Sequence, residues 1–265
     1  MKKNILIAVS VVIIFGGLAY FYLQQNQPAP EPVQEQAPPA PLPSPKPEVS
    51  KVIETPAAPL KLPALAESDS FVIKALAALI SNESLMKLFH TERVIHNIVA
   101  SIDNLPSRRL PMSVMPLERP AGKFVTAGKE NNLTISPKNA DRYTPYVNIA
   151  DAVNAKKLVE LYVRLYPLFQ EAYEKLGYPN KYFNDRLIET LDNLLAAPDI
   201  KEPVKLVQPN VFYLFADPDL EERSIGQRVL MRTGNKNEAI IKGKLREIKQ
   251  ELLLHMHDKK VANIK

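Results

Sequence analysis

Apolar residues recur every three or four positions along much of this chain, the spacing that lines one face of a helix. Phe71, Val72, Ala75, Leu76, Leu79 and Ile80 form such a face behind Ser68 or Asp69 as the capping residue. After Asn82 a second helix carries Leu85, Leu88, Phe89, Ile95, Ile98, Val99, Ile102 and Leu105, until Pro106 ends it. Residues 152–176 predict a long apolar helix stopped by Gly177 and Pro179, with Pro167 kinking it near Val163. Three more helices follow. The first, over 180–197, carries Phe183, Leu187, Ile188 and Leu191. The second starts at Asp217-Pro218 and closes at Gly234, and the third opens with Asn235 and Glu238 at capping-box spacing.

Between the helices lie short strand patterns. Phe124-Val125-Thr126 and Leu133-Thr134-Ile135 read as one hairpin, and Val204–Val207 with Val211–Phe215 as another, turned by Gln208-Pro209-Asn210. The fold class is therefore mostly α with minor β: a helical domain with one or two short β-hairpins. Residues 106–147 are the irregular part, punctuated by Pro106, Pro111, Pro116, Pro120, Pro137 and Pro145. A connection that long is either a wrap over the helical core, through Leu110, Met112, Val114, Met115 and Leu117, or a ligand loop.

Residues 4–23 break the periodicity altogether, being uncharged and apolar nearly throughout. As a helix they are about 30 Å long, the thickness of a bilayer's hydrocarbon core. Lys2 and Lys3 precede the run and no Lys or Arg follows before Lys46, so the positive-inside bias keeps the amino terminus cytoplasmic. Gly17-Leu18-Ala19 offers the alternative of a signal peptide cleaved after Ala19. Residues 24–62 hold 11 of the 24 prolines and predict a disordered, extended tether. The expected organisation is cytoplasmic lysines and a single-pass transmembrane helix (1–23), the tether (24–62), a mostly helical periplasmic domain (63–254) and a frayed basic tail (255–265). That places the chain in a bacterial inner membrane, with its carboxyl-terminal domain in the periplasm.

Composition narrows the chemistry. The 265 residues include no cysteine, which excludes disulfides, thiolate metal sites and cysteine nucleophiles. The four histidines are scattered, and His255 with His257 near a helix end reads as solvent-facing, so no metal site is expected. The net charge of +5 is concentrated late, where residues 236–265 hold eight Lys or Arg against four acids. Such a basic helix reads as a solvated face or as a contact for anionic lipid. The compartment argues against nucleic acid.

Candidate sites are few. Glu92 and His96, one helical turn apart, form a candidate buried polar pair, either a structural hydrogen bond or a general base with its partner. Tyr162, Tyr166, Phe169 and Tyr173 share one side of the long helix, as core or as a face for stacking on the sugars of peptidoglycan. Arg108, Arg109 and Arg119, in the irregular segment, join Tyr162, Tyr166 and Tyr173 as candidate partner-binding residues. Residues 211–219 imitate the strand-then-DxD opening of phosphotransferases, but only 46 residues follow, and helix capping explains the same acids. No G-x-S-x-G, H-E-x-x-H, P-loop or dinucleotide fingerprint occurs, and neither a catalytic residue nor a cofactor is expected.

Leu105-Pro106-Ser107-Arg108-Arg109 followed by Pro116, Asp141-Arg142-Tyr143, Leu161 to Tyr166, Gly177-Tyr178-Pro179 and Val211 to Ala216 carry a further signal. Together they resemble a proteobacterial membrane-anchored family, domain of unknown function 3014, over most of Pro63 to Leu253. The resemblance implies a Gram-negative envelope protein and brings no activity. The expected function is a membrane-anchored periplasmic binding or adaptor protein with an envelope protein as partner. Peptidoglycan binding or cleavage, and contact with anionic lipid through the last helix, are the alternatives.

Overall fold

Residues 49–53, 61–129, 132–200, 203–209 and 211–260 are described by the computed structural model; the apolar run 4–23 and the stretch 24–48 lie outside them. Among the described residues no helix is long and apolar enough to cross a membrane. The molecule is mostly helical, with a small antiparallel sheet.

The helical period is borne out at α1 (Asp69–Ile80), which presents Val72 and Ile80 inward, although neither Ser68 nor Asp69 caps it through its side chain. The long α5 (Ala155–Lys175) starts three residues after the expected 152, where the Asn154 side chain accepts the Lys157 amide at 3.0 Å. Pro167 sits on the exposed side of α5, and the helix continues through it. Two faces of α5 are buried. Leu165, Phe169, Ala172 and Tyr173 pack with Ile95, Val99 and Phe183 in one cluster. Val159, Val163 and Tyr166 pack with Leu191 and Leu252 in another. These partners come from α3 (Val94–Asn104), α6 (Phe183–Leu195) and α9 (Asn235–Leu254).

One expected helix is divided. Residues 83–105 form the short α2 (Glu83–Met86) and α3, with an irregular stretch between them. Backbone pairing from a distance causes the break: His90 donates to the Pro116 carbonyl at 3.0 Å, and Glu118 donates to the Leu88 carbonyl at 2.8 Å. The residues at 88–90 cannot serve both a helix and this ladder. The expected helix after Asp217 is likewise two, α7 (Pro218–Glu221) and α8 (Ile225–Arg232); Asp217 caps the first through the Asp219 amide and Ser224 the second through the Gln227 amide.

The two hairpins are one sheet. Strands β2 (Thr126–Ala127), β3 (Leu133–Ile135), β4 (Lys205–Val207) and β5 (Leu214–Phe215) pair in that order, all antiparallel, with Leu133 opposite Leu206 and Leu206 opposite Phe215. Leu206 and Phe215 face inward onto Met231 and Val204, while Lys205 and Val207 face out. Gly128, at φ +83°, is required after β2, because a Cβ there would lie 2.0 Å from the Asn132 carbonyl oxygen. The segment 106–147 also contains a 3-10 helix at Pro137–Tyr143 and the start of α4 (Thr144–Ala152), neither of which its sequence pattern suggested.

Both chain segments expected to be irregular carry strands. β1 (Val49–Ile53), inside the proline-rich stretch, pairs antiparallel with β6 (Met256–Lys260), in the stretch expected to fray. Ile53 and Met256 are buried in the cluster around Leu252, which explains why both ends return to the helices. The polar face of α9 is also not wholly solvated. Lys242 is 3% exposed and Glu238 2%. The Lys242 ammonium donates to the Ala197 carbonyl at 2.6 Å and to Asp199 at 2.7 Å, with Glu238 Oε1 at 2.8 Å. Burial pulls the Lys242 pKa down, but the bonds to Asp199 and Glu238 outweigh it and leave it raised.

Candidate binding cleft

The start of α3 is built by residues far from it in the chain. The Asp69 carboxylate accepts the backbone amides of Arg93 at 2.7 Å and Val94 at 2.8 Å, so an acid from the first turn of α1 occupies the amino terminus of α3. Arg93 itself is left-handed, at φ 51°, an uncommon conformation for a non-glycine residue. The Ser101 hydroxyl donates to the Val114 carbonyl at 2.7 Å and holds the 112–114 turn against α3. With the 88–118 backbone ladder, these contacts bring residues 112–119 alongside 90–93.

Between the two segments lies a cleft of about 610 Å³, lined by His90 to Arg93, Asn97 and residues of 112–119. Its walls are mixed. Met112, Met115 and Leu117 give apolar surface, and Asn97 donates to the Glu92 carbonyl at 3.1 Å. His90 Nδ1 stands 3.4 Å from Glu118 Oε1. Ser113 shares the cleft, yet no hydrogen bond joins its hydroxyl to His90, so the nucleophile–base contact of acyl transfer is missing. Among the described residues neither Arg93 nor Arg119 has a carboxylate at ion-pair distance, and no group of three or more His, Asp or Glu side chains is arranged to hold a metal ion. The arrangement is suited to binding: two available guanidinium groups beside flexible thioether side chains.

A family model described as "Protein of unknown function (DUF3014)" matches residues 94–249, more than half of the chain. The chain belongs to the DUF3014 family. No curated protein and no solved structure matches it. The DUF3014 match opens at Val94, the first residue of α3, and closes at Lys249 within α9, a shorter span than the resemblance over 63–253. Asn97 and residues 112–119 fall inside the match, and His90 to Arg93 fall just before it.

The predicted site residues of this DUF3014 chain part company. Arg119 lines the cleft. Arg108 and Arg109 are exposed beyond the opposite end of α3, where the Arg108 carbonyl accepts Arg228 Nη2 at 2.6 Å. Glu92 and His96 are not a buried pair. Glu92 is exposed in the cleft and precedes the helix, because Arg93 turns the backbone left-handed between them. The His96 pKa is lowered by burial first and by the Arg93 charge second.

The tyrosines are core residues, not a sugar-stacking face. Tyr166 and Tyr173 are buried, and the Tyr166 hydroxyl lies 2.7 Å from Oδ1 of the fully buried Asn184. Tyr173 stacks on Tyr178 at 4.6 Å between ring centroids; burial and then the Asp103 charge push its pKa up to about 12. Tyr162 meets Phe169 edge-on at 5.2 Å, and its hydroxyl is buried without a hydrogen-bond partner.

Sequence reasoning missed His90, Arg93, Asn97 and Glu118. One signal was present: a continuous helical face through Phe89 and Ile95 needs an apolar residue near position 92, where Thr91-Glu92-Arg93 offers none. A second space, of about 320 Å³ and apolar throughout, lies within the helical core; Leu76, Ile98, Tyr162, Leu187 and Ile248 are among its walls.

Proposed function

We propose that this DUF3014 chain is a binding or adaptor protein of the bacterial cell envelope, held by a single-pass inner-membrane helix at residues 4–23. Its domain acts in the periplasm by binding a protein partner, without catalysis. The observation that carries the reading is the cleft at the start of α3, with Arg93 and Arg119 lacking ion-pair partners among the described residues beside Met112 and Met115. A loop-built site of this composition suits an extended partner segment that carries both carboxylates and apolar side chains. The strained backbone at Arg93 adds support, since such strain gathers at ligand sites. The apolar run, the preceding lysines and the proline-rich stretch support the compartment.

A photoreactive side chain placed at 119 in cells should capture one defined partner, and the same side chain at 109, beyond the other end of α3, should not. Arg93→Glu should abolish the capture at 119. Capture that is equal at 109 and 119, or unchanged by Arg93→Glu, removes the cleft from the proposal. Alkaline phosphatase fused after Lys265 should be active; an inactive fusion removes the periplasmic compartment.

A further inference from the structure

We propose that the core cavity of this chain holds the distal part of one acyl chain of a membrane phospholipid. The space measures about 320 Å³, and its surface is apolar throughout. At about the 30 Å³ that a water-sized group occupies in a liquid, it holds roughly ten methylene-sized groups. Water is not its content, because a water molecule needs two to four polar partners and this lining offers none. Left empty, the lining forfeits the dispersion contacts that a filled core makes.

The elements around the cavity fit a chain-shaped guest. Leu76 of α1, Ile98 of α3, Leu187 of α6 and Ile248 of α9 all reach it, so it runs between helices instead of sitting behind one residue. Each of these four side chains is only partly buried although it belongs to the interior. The bilayer is the nearest source of acyl chains for a domain preceded by the apolar run 4–23, and on this point the inference rests on the membrane-anchored reading. Strands β1 and β6 close over the same region, since Ile53 and Met256 pack with Val159, Leu191 and Leu252, three residues that line the cavity.

The full chain, reconstituted in nanodiscs of phospholipid carrying a diazirine midway along one acyl chain, is irradiated and its labelled residues are mapped by mass spectrometry. Labels on Leu76, Ile98, Leu187 or Ile248 are expected. Filling the space with Ile98→Phe and Leu187→Phe should remove those labels while a cooperative melt shows that the domain is folded; Ile248→Phe alone is the gentler variant. Core labels that persist in a folded, filled variant overturn the proposal. Labels confined to residues 4–23 overturn the cavity and leave the anchor standing. Core labels without any in 4–23 support the cavity and overturn the anchor, and labels in neither place overturn both.

Discussion

The two ends of α3 solve opposite problems with the same materials. At the carboxyl end the inward-facing charges are satisfied within the fold, while Arg108 and Arg109 beyond it are exposed. Asp103 receives Arg186 Nε at 2.9 Å and the Tyr178 hydroxyl at 3.2 Å, and Arg186 reaches on to the Asp103 carbonyl at 2.5 Å. Helix α8 presses against this end so closely that a Cβ on Gly226 would lie 2.5 Å from Leu194 Cδ2 and 3.1 Å from the Leu105 carbonyl oxygen. At the amino end Asp69 satisfies the backbone, but the Arg93 and Arg119 guanidinium groups face an open cleft. Charges that a fold has already neutralised serve stability, whereas charges left available serve a partner.

Substitutions can break that contrast. Asp103→Leu removes the buried partner of Arg186, which keeps only the exposed Glu189 at 2.7 Å, and should cost about 2–3 kcal/mol in urea unfolding; a loss below about 0.5 kcal/mol, the range of an ordinary surface change, would make the two ends alike. Gly226→Ala should cost about 1–3 kcal/mol by overpacking, visible as a lowered melting temperature with an unchanged far-ultraviolet spectrum. At the open end Asp69→Ala should cost only about 1 kcal/mol, the value of a lost cap, yet weaken partner capture at position 119. The smallest effect concerns acid. Because the folded pKa of His96 lies below its ordinary 6.5, its contribution to stability is complete above that value and is lost as pH falls through the lowered one. His96→Gln should therefore flatten the acid side of the stability profile, and an unchanged slope below pH 6.5 would show that His96 is not its source.

Legibility in the sequence followed the range of the forces. α1, α5, α6 and α9 were readable because their apolar period, with Gly177 after α5, lies within the segment itself. The break between α2 and α3 was not, since the backbone groups of Pro116 and Glu118 impose it, and backbone groups leave no trace in composition. β1 was hidden for a different reason: eleven prolines set the expectation for a stretch in which Val49–Ile53 contains none. The spacing of Tyr162, Tyr166 and Tyr173 correctly placed them on one side of α5 but could not distinguish core from surface. The cleft depends on all of these long-range events together; of its walls Glu92, Met112, Met115, Leu117 and Arg119 stand out in the sequence, while His90, Arg93, Asn97 and Glu118 do not.

The β1–β6 ribbon also bears on mechanics. Its five residue pairs run from Val49 with Lys260 to Ile53 with Met256, so the two strands lie side by side over about 17 Å at 3.4 Å per residue, with Ile53 and Met256 at the buried end. Tension applied to the chain before Val49 passes along β1 and is transferred to the core at Ile53. The bonds to β6 do not need to open in sequence for that transfer, and β6 stiffens β1 against bending. A pull on β1 is thus delivered to the cluster around Leu252 and Val159, a wall it shares with the core cavity.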